Sequence, residues 1–441
     1  MSGLALLLND RQFVVSGSDI KDSANTHLLV EEGIKVFIGH DSANITSEID
    51  LIVHSSAIKS DNPELIEARS KSIDVIKRGK LLAFLCQKNK TIAVSGSHGK
   101  TTTTSLLAYA LSFLGCKPAV FLGGLPLNYS RGAWWGDDYF VVETDESDGS
   151  FLDFDPWISI ITNIDKEHLD YYKTFQNLEE SFLSFGRQTK KMVFGCCDYP
   201  NLEKIVKEVS GISYGLGEEN TVRAMNFSVW EKGSCFDLYI NKEYVLKVKL
   251  PLLGKHNCLN ALAVFAVLNY LGLDLEKANQ SLADFKGTKR RFQIKEEFDG
   301  ITFIDDYAHH PTEIRAVISA AKLLKPKRLF VIVQPHRFSR IQLLKKDFAN
   351  CFTGADLVVI SDIYAASETK PKGIDANQLF KEANKHFSGK IEYIPKENLK
   401  KILPTYFKAG DVVLALGAGD INMVMEKVID EFKKDRIIKT S

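Results

Sequence analysis

Thr91-Ile-Ala-Val-Ser-Gly-Ser-His-Gly-Lys-Thr-Thr-Thr-Thr104 decides how the chain is to be read. The run from Thr91 to Val94 is β-branched and apolar and predicts a strand. Gly96 and Gly99 predict a tight turn. Lys100 and the threonines then open a segment that stays apolar through Leu106, Leu107, Ala110, Leu111 and Leu114, which predicts a helix. Strand, glycine loop, Lys-Thr and helix together make a phosphate cradle. Glycines let backbone N–H groups approach a polyphosphate. The helix N-terminus adds partial positive charge, Lys100 a full one, and the Thr101 hydroxyl suits Mg2+. The common form has four residues between its first glycine and Gly-Lys-Thr. Here position 94 is Val, so the loop is the shortened Gly-x-x-Gly-Lys-Thr-Thr. The plainer alternative is a Gly/Ser turn before an ordinary helix.

A chain of 441 residues suggests roughly three domains. Hydrophobic content of 45% and charged content of 25% are those of a globular protein. Formal net charge is zero, which gives no reason to expect nucleic acid or an anionic membrane as partner. The seven cysteines form no C-x-x-C pair, and reduced thiols are expected over zinc ligands or disulfides. Met1 to Asp10 has no basic flank and no cleavage site, so no secretory signal is read there. No apolar run approaches the ~20 residues of a membrane span. The expected compartment is the cytoplasm.

Outward from the loop, the chain alternates strands and helices. In the first segment, Gly3 to Leu8 predicts a helix, and Phe13-Val-Val-Ser-Gly-Ser-Asp19 a buried strand ending in an acid. Asp19 is either a strand-end turn or a ligand. Val36-Phe-Ile38 and Leu51 to Ala57 predict strands, and Pro63 to Lys71 a helix with Pro near its start. In the central segment, Tyr139-Phe-Val-Val-Glu143 predicts a strand that delivers Glu143, followed at once by Asp145, Glu146 and Asp148. Trp157 to Thr162 predicts another, leading into Asn163-Ile-Asp-Lys-Glu-His168. Acids and a histidine at strand ends beside a phosphate loop sit where open α/β sheets bind ligands. Mg2+ takes carboxylates, hydroxyls and phosphate oxygens. Ala224 to Leu250 alternates in shorter strands, and a helix runs from about Gly254-Lys-His-Asn257 to Leu271.

The third segment opens with Lys289-Arg-Arg-Phe292. Ile301 to Asp306 predicts a strand that runs into Tyr307-Ala-His-His-Pro311. Arg328 to Val333 leads into Gln334-Pro-His-Arg337-Phe-Ser-Arg340, and Leu357 to Ile360 into Asp362. Val412 to Leu416 leads through Gly417-Ala-Gly-Asp420 into the last helix, with Lys433 to Ser441 expected as a frayed basic tail. The sheet should be mainly parallel, with one polar rim at the strand ends.

Taken together, Gly96 to Thr102, Glu143-Thr-Asp-Glu-Ser-Asp-Gly-Ser-Phe151, Thr162 to His168, Gly254 to Asn257, Lys289 to Phe292, Asp305 to Pro311, Gln334 to Arg337 and Gly417 to Asp420 resemble the Mur ligases. The resemblance spans nearly the whole chain, in the family's order. It implies an α/β protein of three domains: a Rossmann-like UDP-sugar domain (1–87), a central P-loop ATPase α/β domain (88–288), and a C-terminal Rossmann-like amino-acid domain (289–441). It implies ATP-driven amide formation in peptidoglycan precursor synthesis. In the nearest subgroup the carboxylate of UDP-N-acetylmuramate is joined to L-alanine through an acyl phosphate.

By the same resemblance, Gly96, Ser97, His98, Gly99, Lys100, Thr101 and Thr102 hold ATP, with Asn257 near the adenine and Arg291 reaching the phosphates. Thr101 and Glu143 hold one Mg2+ (or Mn2+) and His168 a second. Ser147, Asp148, Tyr307, His309, Arg337 and Arg340 face the substrates. Lys100, His309, Arg337 and Arg340 carry catalysis, His309 as a base or steering group for the amine. The expected partners are small molecules alone, in a monomer or weak homodimer in the bacterial cytoplasm.

Family members begin with a strand and a Gly-rich loop, and Met1 falls at the end of that loop. The expectation is therefore a first domain without its central strand and with a weakened UDP-sugar site. Three other readings stay open: a ligase that attaches a recycled tripeptide to the same sugar nucleotide, a P-loop phosphotransferase or NTPase with another acceptor, and an inactive truncated binding protein.

Overall fold

A computed structural model describes residues 1–230, 233–366, 368–371 and 373–440. They form two compact units. One comprises Met1–Met225, Asp237–Val248 and Leu259–Phe285; the other comprises Asn226–Phe236, Lys249–Cys258 and Lys286–Ser441.

The first unit opens with the helix Ser2–Asp10, which buries Leu4, Leu6 and Leu7. Gly3 lies so close to the Phe121 ring that an added Cβ would sit 2.9 Å from it. Arg131 reaches back to Asp10 and Glu32, tying this helix to the central sheet. Two separate parallel pairs follow: Ser16–Asp19 with Lys35–Ile38, and Leu51–His54 with Asp74–Lys77. This corrects the expectation for Phe13 to Asp19. The strand begins only at Ser16 and has one partner, while Phe13 is more than half exposed and Val14 fully so. The cause is local. Gln12 adopts φ 62 and the Phe13 N–H donates back to the Leu8 carbonyl, so the chain leaves the helix before it can extend. What then extends is Ser-Gly-Ser-Asp, with almost no apolar surface to bury.

The central sheet has ten strands. Its middle is Thr91–Ser95, flanked in parallel by Phe140–Glu143 and Ile158–Ile161. Ile92, Ala93, Val94, Val141, Val142, Ile158, Ile160 and Ile161 are fully buried. Continuous apolar runs of this kind belong to parallel strands covered on both faces, and each buried Val or Ile contributes about 1.5–3 kcal/mol. One end of the sheet is built from Val222–Trp230, Gly233–Ile240 and Glu243–Leu250. These strands are longer than their central neighbours, not shorter as the sequence suggested. The helix Lys255–Tyr270 follows.

The second unit holds a six-stranded sheet in the order Gln293–Phe298, Ile301–Asp306, Asp411–Leu416, Arg328–Val333, Leu357–Ile360, Lys390–Tyr393. All pairs are parallel except the first. Alternation divides its core between two faces. Val331, Val333, Leu414 and Leu416 pack with Ile314, Ile318 and Phe348, whereas Phe330, Ile332, Val413 and Ala415 pack with Met425, Val428 and Phe432. The last helix, Ile421–Thr440, does not fray from Lys433. Lys433 pairs with Glu296 at 2.8 Å and Arg436 with Asp299 at 3.1 Å, so two of the basic residues expected to loosen the tail tie it to the sheet edge instead. Ser441 lies outside the described residues. All seven cysteines are free thiols. Among the described residues no helix is long and apolar enough to cross a membrane.

Candidate active site

The strand Thr91–Ser95 delivers the loop, and the helix Lys100–Phe113 leaves it. Gly96 has φ +129, and a Cβ there would fall 2.2 Å from the Thr162 hydroxyl; Gly99 has φ +83, and a Cβ there would fall 2.5 Å from the Asn260 side-chain oxygen. Both positions thus demand glycine twice over, by backbone angle and by space. The close approach is made by the segment after the neighbouring strand. The Ser97 and His98 N–H groups donate to the Asn163 carbonyl (3.0 Å) and side-chain oxygen (2.9 Å). The Thr162 hydroxyl donates to the His98 carbonyl (2.6 Å), and the Asp165 N–H to the Ser97 hydroxyl (2.9 Å). His98 Nε2 lies 3.1 Å from Asp165. The loop is therefore held open from the side, with Thr101 to Thr104 buried at the start of the helix.

Lys100 curls back over this loop. Its ammonium donates to both Glu146 oxygens (2.8 and 2.7 Å) and to the carbonyls of Gly96 and Ser97. Burial works against the ammonium, but Glu146 and then Glu143 outweigh it and raise its pKa. Burial also pushes the Glu146 carboxyl upward, against the pull of Lys100. Glu143, at the end of its strand, accepts from the Thr101 hydroxyl (3.0 Å) and the Gly123 N–H (2.9 Å). His168 takes φ 56 just before the short helix Leu169–Tyr172. Its Nε2 stands 3.7 Å from Glu146 and 3.9 Å from Glu167. Ser147 and Asp148 lie in the turn after Glu146, where the Ser147 N–H donates to Asp145 and the Ser150 N–H to Asp148. Asp145 in turn receives Arg78 at 2.8 Å.

Among the described residues of the first unit, two places fit a divalent cation. The Thr101 hydroxyl and Glu143 carboxylate form a hard-oxygen pair at the helix N-terminus, suited to Mg2+. Glu146, Glu167 and His168 present three donor atoms within 4.8 Å of one another.

The second unit gathers the other expected residues. The side chain of Asn257, buried, donates to the Leu253 carbonyl (2.9 Å). The guanidiniums of Arg290 and Arg291 lie 5.0 and 5.1 Å from the centre of the Tyr307 ring, and Arg291 is 3.9 Å from Glu313. His309 Nδ1 is 2.9 Å from the Tyr307 carbonyl, which only accepts, so Nδ1 carries a proton. His336 is the reverse case: Arg340, which only donates, is 3.1 Å from its Nδ1. Burial, His309 and the arginines lower the His336 pKa to about 3, and the ring is neutral. It stacks on Tyr364 at 5.5 Å. Arg337 takes φ 67 at the head of the helix Phe338–Ala349 and pairs with Glu368 at 3.1 Å.

Within the first unit, then, Gly96–Thr102, Glu143, Ser147, Asp148 and His168 stand around one strand-end rim; within the second, Tyr307, His309, Arg337 and Arg340 stand around another. Sequence reasoning left Asn163, Asp165, Glu167 and Asn260 without a role. Asn163, Asp165 and Glu167 stand inside the Thr162–His168 motif and Asn260 just beyond Asn257, so all were open to notice, but the brace that Asn163, Asp165 and Asn260 form shows only in three dimensions.

Comparison with known proteins gives the same picture along the whole chain. Residues 1–90 match the model described as Mur ligase family, catalytic domain, residues 94–268 the Mur ligase middle domain, and residues 290–419 the Mur ligase, glutamate ligase domain. A UDP-N-acetylmuramate–L-alanine ligase of Carboxydothermus hydrogenoformans is 39% identical over 97% of this chain and 94% of its own length. The solved UDP-N-acetylmuramate–alanine ligase of Thermotoga maritima superposes with a TM-score of 0.86 at 29% identity, covering 99% of this chain and 97% of that one. A murein peptide ligase of Psychrobacter arcticus shares the fold, with a TM-score of 0.72 at 23% identity over 98% and 96% of the two chains. The chain belongs to the Mur ligase family.

Proposed function

We propose that this protein is an ATP-dependent, ADP-forming ligase that joins L-alanine to the carboxylate of UDP-N-acetylmuramate in peptidoglycan precursor synthesis. The observation that carries the reading is near-full-length identity to ligases of that name, on a chain whose phosphate loop, Glu143 and His168 share one rim. Residues 1–87 take the UDP-sugar, 88–288 the ATP and 289–441 the amino acid. The site is read as that of a cytoplasmic monomer or weak homodimer acting on small molecules.

The chemistry must bring two anions, a carboxylate and a triphosphate, into contact. Lys100 supplies fixed positive charge at the terminal phosphate, and the N–H groups at the head of the helix Lys100–Phe113 supply partial charge. A Mg2+ held by Thr101 and Glu143, with a second cation at His168, would screen the phosphate charge. Ser147 and Asp148 face the sugar-nucleotide substrate, Asn257 the adenine, and Arg291 the phosphates. The muramate carboxylate attacks the γ-phosphorus to give the acyl phosphate and ADP. The alanine amine then attacks the acyl carbon and phosphate leaves. His309, its Nδ1 proton held by the Tyr307 carbonyl, receives or steers the amine proton. Arg337 and Arg340 pair with the carboxylates and phosphate around it, a task for which guanidinium forks are suited.

ADP release measured with UDP-N-acetylmuramate, adding alanine, glycine, serine or the tripeptide singly, tests the reading. Release should require the sugar nucleotide and be fastest with alanine. EDTA should abolish it, and Glu143→Ala should raise the Mg2+ requirement. Release driven best by tripeptide, or without any amine acceptor, would replace the reading with one of the alternatives.

A further inference from the structure

We propose that Glu146 is a built-in stand-in for the terminal phosphate: it neutralises Lys100 in the nucleotide-free protein and releases it when a divalent cation draws Glu146 into a cluster with Glu167 and His168. The inference rests on the nucleotide site proposed above.

An ammonium has three N–H donors. Those of Lys100 are spread over both Glu146 oxygens, the Gly96 carbonyl and, at 3.5 Å, the Ser97 carbonyl. The cation meant for a phosphate is thus already spent on groups of its own chain. Glu146 is 2% exposed, so water screens it poorly, and a phosphate entering beside it meets a like charge.

The same carboxylate has a second possible station. Its Oε1, which accepts from Lys100, also stands 3.7 Å from His168 Nε2, and Glu167 Oε2 stands 3.9 Å from that nitrogen. The three donor atoms, all within 4.8 Å, are spaced as around one small cation. A cation bound there attracts Glu146 and repels the Lys100 ammonium. The main chain does not have to move: the Tyr172 hydroxyl donates to the Glu146 carbonyl at 2.5 Å from the short helix that starts after His168. Only the side chain of Glu146 changes partner. Cation binding and phosphate binding are then linked through one residue, and each favours the other.

Calorimetric titration of a non-hydrolysable ATP analogue decides this, in EDTA and in Mg2+, on the whole chain and on Glu146→Gln and Glu167→Gln. The metal-free arm matters most, because Mg2+ also changes the charge of the analogue itself. Glu146→Gln should bind the metal-free analogue at least tenfold tighter than the unaltered protein, and Mg2+ should then add less. Glu167→Gln keeps the Lys100–Glu146 pair, so its metal-free affinity should stay put while its gain from Mg2+ falls severalfold. Metal-free affinity that is unchanged or weaker in Glu146→Gln overturns the proposal. If circular dichroism shows that variant unfolded, Glu167→Gln decides: a full Mg2+ gain there overturns it. Should none of the three proteins bind the analogue under either condition, the nucleotide-site reading fails and this one with it. Tight binding by the unaltered protein alongside an inert Glu146→Gln effect would defeat only the present inference.

Discussion

Three of the four strands before residue 80 are cut from similar cloth to those around the phosphate loop. Val36-Phe37-Ile38 is as apolar as Ile92-Ala93-Val94, and both sit in parallel pairs. Yet none of the four N-terminal strands contains a buried residue, whereas every residue of Thr91–Ser95 and Ile158–Ile161 is buried. What separates them is company. Thr91–Ser95 has a strand on each side and is buried on both faces, while Lys35–Ile38 has one neighbour. Burial, and with it rigidity, comes from the second neighbour and the covering layer rather than from the strand's own composition.

Hydrogen exchange puts this contrast at greatest risk. Amides of Thr91–Ser95 and Ile158–Ile161 should exchange on the order of 10³-fold or more slowly than those of Ser16–Asp19 and Lys35–Ile38. Comparable protection, read by mass spectrometry on peptic fragments, would mean that the two regions open together. Next in size is Lys100→Ala, which removes the charge at the rim of the rigid region and should slow alanine-dependent ADP release by about 10²-fold or more. Near-normal turnover would detach the loop from the chemistry. A matched pair of glycine substitutions sharpens the comparison further. Gly96→Ala meets both a φ of +129 and the Thr162 hydroxyl, and should cost on the order of 1–3 kcal/mol by thermal or denaturant unfolding, with nucleotide affinity down about tenfold or more. Gly17→Ala, where an added Cβ meets nothing within 4 Å, should stay within about 0.5 kcal/mol of the unaltered protein. If Gly17→Ala were the more damaging, the N-terminal pair would have hidden support.

What the sequence disclosed follows the same line. Thr91 to Leu114 was legible because strand, loop and helix are local, and each residue type answers to its own backbone. Four of the six C-terminal strands were legible for the same reason, being continuous apolar runs that end in polar groups, whereas Gln293–Phe298 and Lys390–Tyr393 alternate charged with apolar residues at the two edges of the sheet and went unread. Phe13 and Val14 misled because a β-branched, apolar run predicts burial only if something covers it, and the turn at Gln12 intervenes. The tail from Lys433 misled because its charges find Glu296 and Asp299, acids more than a hundred positions away. The brace around the loop was hidden for a similar reason: Asn163 meets His98 across 65 positions and Asn260 meets Thr103 across 157. No periodicity records such pairs.

That brace has a consequence for anyone who would move the site elsewhere. The shape of Gly96–Thr102 is not stored in those residues alone. Part of it resides in Thr162, Asn163 and Asp165, on a stretch that also ends in His168. Grafted by itself onto another sheet, the glycine loop would lose the Thr162 hydroxyl, the Asn163 oxygens and the Asp165 N–H that fix its shape, and would keep only its contacts to its own lysine. The smallest portable piece is the pair of strand exits together, loop and brace as one part.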